Sequence, residues 1–78
     1  MDRLNTNIEI IVAFADYRDL FVAEIWMGNI HVAEVYIDEQ KQKQVEIFFL
    51  KGRSIQISFN TLNEAAARLE PGSDREHS

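Results

Sequence analysis

The stretch FVAEIWMGNIHVAEVYI, residues 21–37, decides the predicted fold. Two apolar runs flank the dipeptide Gly28-Asn29, and a glycine at the first central position is typical of a type II′ turn. The stretch therefore predicts a β-hairpin with a two-residue loop. The predicted register pairs Met27 with Ile30, Trp26 with His31, Ile25 with Val32, Val22 with Val35 and Phe21 with Tyr36.

Both faces of this hairpin are apolar. The segment Val-Ala-Glu occurs once in each strand, and the predicted register projects its glutamates, Glu24 and Glu34, from opposite faces. An antiparallel sheet with one face in water would instead alternate apolar and polar side chains. The pattern therefore indicates that both faces of the hairpin are covered.

On either side of this hairpin, alternating apolar residues predict further strands at residues 7–15, 45–50 and 54–59. A three-residue loop, Lys51-Gly52-Arg53, is favoured because it keeps Ile55 and Ile57 on the same face as Phe49 and Ile47. A helix is predicted next. Its start is a capping box of Thr61 and Glu64, its apolar stripe is Leu62, Ala65, Ala66 and Leu69, and Pro71-Gly72 ends it.

The predicted fold is one α+β domain over residues 7–70. It is a five-stranded antiparallel meander, open or curled, with the order β-β-β-β-β-α. Residues 1–6 are expected to fray, and residues 71–78 are expected to be a disordered tail. A helix of about eight residues spans roughly 12 Å and cannot cover both faces of the sheet. The surplus apolar surface predicts either a closed barrel or a protein interface, and a homodimer formed through sheet faces or edge strands is favoured.

Composition limits the function classes. The chain has 78 residues, no cysteine and a net charge of −5. The negative charge argues against direct nucleic-acid binding, and it suits a protein partner that is basic or itself binds nucleic acid. The sequence has no secretory signal and no apolar run of about 20 residues, so we expect a cytoplasmic protein without a membrane segment. It has no phosphate-binding loop, HExxH or GxSxG motif, so no cofactor is expected.

The candidate site residues all lie in the central hairpin. We expect partner or dimer contacts from Phe21, Glu24, Trp26, Met27, His31, Glu34 and Tyr36. Large aromatic side chains such as Trp26 and Tyr36 are frequent hot spots of protein interfaces. No catalytic or metal-binding residue is expected. His31 is interpreted as an imidazole packed on the indole of Trp26, and the alternative interpretation is a His31–Glu24 acid–base pair.

These expectations combine into a non-enzymatic, acidic protein-binding module. It would form a homodimer and act as an inhibitor or adaptor by occupying a partner's surface. In size and charge it is analogous to the small inhibitors carried by phages and mobile elements, such as anti-CRISPR proteins, and to immunity proteins. The alternative is a small-ligand-binding barrel or minimal enzyme that uses His31 and Glu24.

Overall fold

Four antiparallel strands and one helix form the described part of the chain. A computed structural model describes residues 7–48 and 51–70. The strands are β1 (Ile8–Ala15), β2 (Leu20–Met27), β3 (Ile30–Ile37) and β4 (Lys43–Ile47), and the helix α1 spans Phe59–Leu69. The sheet order is β1-β2-β3-β4, with every neighbouring pair antiparallel. The predicted α+β class, the antiparallel sheet and the C-terminal helix are confirmed.

The fifth strand is not confirmed. Residues 53–58 have no regular secondary structure, and Ile55 and Ile57 instead pack against the core cluster. Packing alone therefore accounts for the alternation that predicted a strand. In the described residues the sheet is open, with β1 and β4 at its edges, so the barrel alternative is wrong. Phe49 and Leu50, the frayed start and the disordered tail were also predicted, and they lie outside the described residues.

The turn at Gly28-Asn29 forms as predicted, but the register does not continue as predicted. Gly28 has φ 63°, and the pairs next to the turn are Met27 with Ile30 and Trp26 with His31. The register then shifts by one residue, so that Ile25 pairs with Ala33 and Ala23 with Val35.

The extra residue in β3 is Val32, which forms a β-bulge. Val32 and Ala33 are consecutive in the chain, yet both are fully buried and both belong to the core cluster beneath α1. A strict two-residue period would turn one of them away from the helix, and the bulge allows both to remain. The bulge also makes Glu24 and Glu34 direct cross-strand neighbours. The prediction that these glutamates project from opposite faces is therefore wrong.

One face of the sheet carries the core. The buried cluster joins the middle of β2 and β3 to the two small residues of α1, and consists of Ala23, Ile25, Met27, Val32, Ala33, Val35, Ala65 and Ala66. The alanines allow the helix to lie close to the sheet, as their spacing predicted. α1 has 11 residues, or about 16 Å of helix, and so covers only the centre of this face.

The helix begins earlier than predicted. Ser58 is the N-cap, and its Oγ accepts a hydrogen bond from the Thr61 N–H at 3.1 Å. The predicted capping box is wrong, because Thr61 already lies in the first turn and the Glu64 carboxylate pairs with Arg68 at 2.7 Å. Both Ser58 and Thr61 are residue types that can cap, and the helix extends backward through Phe59 to the earlier one.

The loop between β3 and β4 is organised by Asp38. Its carboxylate accepts 2.9 Å hydrogen bonds from the N–H groups of Gln40 and Gln42 and from the Gln44 side chain. These hydrogen bonds hold the pKa of Asp38 below its usual value, and the bond from the Gln42 N–H has the largest effect. The loop therefore has an internal anchor that depends on an ionised carboxylate.

Candidate functional site

A polar cluster lies on the sheet face opposite α1. At its centre is Glu34, whose side chain is 0% exposed. Arg18 Nε donates to Glu34 Oε2 at 2.7 Å, and the Tyr17 hydroxyl donates to the same oxygen. Tyr17 and Arg18 belong to the β1–β2 turn, which is tightened by N–H groups of Arg18 and Asp19 bonded to the Ala15 carbonyl. The turn therefore reaches across the sheet to hold a carboxylate on β3.

Arg18 also extends the cluster to β4 and to an aromatic ring. Its Nη2 pairs with the Glu46 carboxylate, and its guanidinium lies over the Tyr36 ring, 3.9 Å from the centroid. Burial lowers the pKa of the Arg18 guanidinium, but the hydrogen bonds to Glu34 and Glu46 outweigh burial and raise it overall. Arg18 is therefore a permanent cation that joins the β1–β2 turn to β3 and β4.

Tyr17 is the most exposed member of the cluster, with 69% of its surface accessible. Its hydrogen bond to Glu34 raises the pKa of the phenol, since deprotonation would lose the donor and place two negative charges together. Tyr17 therefore acts as a neutral donor at ordinary pH.

His31 lies beside this cluster between two aromatic rings. Its imidazole stacks on Trp26 with ring centroids 5.0 Å apart, and the Phe48 ring meets it edge-on at 4.8 Å. The stacking agrees with the interpretation of His31 as packed on the indole. The Trp26 indole N–H donates to the Glu24 carboxylate at 3.0 Å. Glu24 is therefore a partner of the tryptophan, and the carboxylate nearest to His31 is that of Glu34.

Two polar atoms of this region have no hydrogen-bond partner among the described residues. His31 Nε2 and Glu34 Oε1 are both buried and lie 3.8 Å apart, beyond hydrogen-bond distance. The other Glu34 oxygen, Oε2, accepts the hydrogen bonds from Arg18 and Tyr17. In residues 7–48 and 51–70, no group of three His, Cys, Asp or Glu side chains is arranged to hold a metal ion. The geometry fits the anchoring of one turn to the sheet.

A shallow cavity of about 380 Å³ adjoins the cluster. It is lined by Tyr17, Arg18, Leu20, Tyr36 and the 38–40 part of the next loop. Arg18 already pairs with two carboxylates, so it has little capacity left for an anionic ligand. His31 is not among the lining residues.

An exposed apolar ridge runs along β1 and the adjoining start of β2. We define the β1 ridge as Ile8, Val12, Phe14 and Phe21, which are 36%, 43%, 49% and 60% exposed and lie on the face of the sheet that carries α1. Ile11 is 41% exposed, but its side chain projects from the opposite face, because side chains alternate along a strand pair that has no shift. Phe14 and Phe21 face each other across the β1–β2 pair, with an edge-to-face contact of 5.3 Å between centroids. The ridge lies beside the area that the short helix covers, and its residues face water.

The structure separates the sequence-predicted site residues into two groups. Phe21 is on the exposed ridge, whereas Glu24, Trp26, His31 and Tyr36 are half-buried in contacts within the chain. Met27 and Glu34 are buried. The roles of these residues in partner binding stay predictions. The cluster members that sequence reasoning missed are Tyr17, Arg18 and Glu46. The signal that could have found Arg18 is an arginine in a tight turn beside strands that carry glutamates.

Comparison with known proteins identifies no relative. No family model, no curated protein and no solved structure matches this chain. No helix in the described part of the chain is long and apolar enough to cross a membrane. Any functional conclusion therefore depends on the surfaces described above.

Proposed function

We propose that this chain is a non-enzymatic protein-binding module. It acts in the cytoplasm as a homodimer, and it serves as an inhibitor or adaptor by occupying the surface of a partner protein. The observation that carries this proposal is the β1 ridge, where four large apolar side chains on one face of the sheet are between 36% and 60% exposed. Contiguous exposed apolar surface of this kind is characteristic of interaction sites.

The charges around the ridge support a basic partner. The turn next to Phe14 and Phe21 carries Asp16 and Asp19, and both are exposed. An apolar patch with an acidic rim attracts a basic surface during encounter, and the apolar contacts then provide the affinity. A phage or mobile-element inhibitor such as an anti-CRISPR protein, or an immunity-type protein, would fit these properties.

The alternative function, a small enzyme or ligand-binding protein that uses His31 and Glu24, has less support. The Glu24 carboxylate accepts the indole N–H of Trp26, and the His31 ring is packed between Trp26 and Phe48. Such an arrangement rigidifies the imidazole without presenting it to the cavity beside Tyr36.

The proposal is tested by partner capture with matched phenylalanine variants. Immobilised wild-type protein, Phe21→Glu and Phe59→Glu are exposed to lysate of the native host, and the bound proteins are identified by mass spectrometry. Phe59 is the control because it is 81% exposed but lies on α1, outside the β1 ridge. We expect Phe21→Glu to lose a specific partner that wild type and Phe59→Glu retain.

A third variant separates the two functions. His31→Ala should retain the partner if binding uses the ridge, whereas an enzyme based on His31 would lose its activity. Equal capture by Phe21→Glu and wild type would contradict the proposal, as would loss of the partner on His31→Ala in a protein that remains folded.

A further inference from the structure

Within residues 7–48 and 51–70, no strand pairs with the outer edge of β1, and the register shows which of its backbone groups point outward. The Gly28 N–H donates to the Asn7 carbonyl at 3.0 Å, and the β1–β2 register continues without a shift to Ala15. In an antiparallel strand pair, residue pairs that exchange backbone hydrogen bonds alternate with residue pairs that do not. The odd-numbered residues of β1 therefore direct their backbone groups toward β2, and the even-numbered ones direct theirs outward. The outward set is Ile8, Ile10, Val12 and Phe14.

Of the two sheet edges, β1 is the less protected. Natural edge strands are usually kept from pairing by short length, lysine or proline. β4 has five residues and carries Lys43, whereas β1 has eight residues and contains neither lysine nor proline. The Arg68 side chain donates to the Ile10 carbonyl at 3.2 Å, which agrees with that carbonyl pointing away from β2. A carbonyl has two lone pairs, so it can still accept a second bond.

We propose that β1 pairs antiparallel with β1 of a second copy of this chain, around a two-fold axis at Ile11. In this register the outward backbone groups of each copy meet those of the other. Ile8 lies opposite Phe14 of the second copy and Ile10 opposite Val12, while Glu9 meets Ala13 and Ile11 meets its own equivalent. Every pair is apolar or contains one charge, so no like charges are directly opposed.

Self-complementarity is the reason to choose a second copy as the occupant. A two-fold interface requires one surface to fit itself, and the β1 sequence IEIIVAFA does so in the register described above. The pairing makes the four-stranded sheet into a continuous eight-stranded one, with both helices on one side. A single pair of strands buries less surface than a standard interface, so we expect a weak, concentration-dependent dimer. This inference rests on the proposed function, because it locates on β1 the homodimer that the proposed function includes.

The first experiment measures association of the purified chain. Sedimentation velocity from low micromolar to near-millimolar concentration should show a reversible monomer–dimer equilibrium. Val12→Pro removes an outward N–H and leaves the ladder to β2 intact, a position where edge strands tolerate proline. Loss of two symmetry-related hydrogen bonds should weaken the dimer roughly thirtyfold. Val12→Ala, which keeps the N–H, is the matched control and should weaken it less.

The second experiment locates the axis by disulfide cross-linking, and it does not depend on the proline variant folding. The described chain has no cysteine, so a single introduced thiol reports one position. Ile11→Cys would face its own equivalent in a non-hydrogen-bonded pair, about 4.5 Å apart at Cα, which is within the range of a disulfide. We expect oxidation to link Ile11→Cys into a dimer much faster than Glu39→Cys, an exposed control in the 38–42 loop. A mixture of Glu9→Cys with Ala13→Cys should link between the two variants.

The outcomes separate this inference from the proposed function. A chain that stays monomeric up to near-millimolar concentration overturns the pairing, as does equal cross-linking of Ile11→Cys and Glu39→Cys. If the monomer still captures a partner through Phe21, the partner-binding part of the proposed function stands without its homodimer, and β1 is covered by that partner. If the dimer forms as described but Phe21→Glu captures as well as wild type, this inference stands and the partner surface lies elsewhere.

Discussion

Replacing Arg18 by an uncharged residue should be costly, because its cation pairs with the buried carboxylate of Glu34. Glu34 is 0% exposed and Arg18 only 16%, and their closest atoms are 2.7 Å apart. Arg18→Met keeps the length of the side chain but leaves the Glu34 carboxylate buried without its cation. Breaking one side of a buried ion pair typically costs about 3–5 kcal/mol. Because the Arg18 side chain is partly exposed, we expect about 3 kcal/mol.

The loss of stability in Arg18→Met is measurable against the total free energy of unfolding of the protein. At about 0.1 kcal/mol per residue, a chain of 78 residues has roughly 8 kcal/mol of stability, so Arg18→Met should still fold. Urea unfolding can be followed by the fluorescence of Trp26, the single tryptophan. In the double variant Arg18→Met/Glu34→Met no buried charge remains. In the Glu34→Met background, Arg18→Met should therefore lower the free energy of unfolding by less than about 1 kcal/mol. The difference between this cost and the cost of Arg18→Met alone is the coupling energy that a double-mutant cycle measures.

Glu46 provides the control for this cycle. Its carboxylate also pairs with Arg18, but its side chain is 52% exposed. Glu46→Gln should therefore cost less than about 1 kcal/mol, as exposed ion pairs usually do. The reasoning is refuted if Arg18→Met costs no more than Glu46→Gln, or if it costs the same with and without the Glu34 carboxylate.

Two further predictions concern a cap and a loop. Ser58→Ala should destabilise the protein by about 1 kcal/mol in urea unfolding, because Ser58 is the N-cap. Thr61→Ala should destabilise it less. A larger effect of Thr61→Ala would instead support a capping box at Thr61. The pKa of Asp38 is lowered by its hydrogen bonds from Gln42 and Gln44, so its stabilisation is present above the unfolded pKa of about 3.9 and is lost as pH falls through the folded value. Asp38→Asn should therefore flatten the acid limb of the stability–pH curve, and an unchanged limb would contradict this role.

The first strands were predictable because their signals are local. The apolar runs of residues 21–37 predicted a hairpin, and the structure has β2 and β3 there. Gly28 predicted the turn between them, because glycine readily adopts the positive φ that this turn requires. The exposed apolar surplus was also visible in composition and pattern, although the sequence placed it on the central hairpin. The structure places more of it on β1 than on any other element, because α1 lies over the centre of the sheet and leaves the β1 edge in water.

The polar cluster was not predictable from the same signals. It depends on the bulge at Val32, which brings Glu34 onto the face of Glu24, and on a turn that carries Arg18 across two strands. A sequence pattern that repeats every two residues does not predict a bulge. Here the bulge keeps both Val32 and Ala33 packed against α1, and α1 comes from a distant part of the chain. The sequence alone determined the α+β class, the strands of the hairpin and its turn. Tertiary packing decided which face each side chain of β3 occupies, and therefore which residues form a site, since faces are set by contacts between segments far apart in sequence.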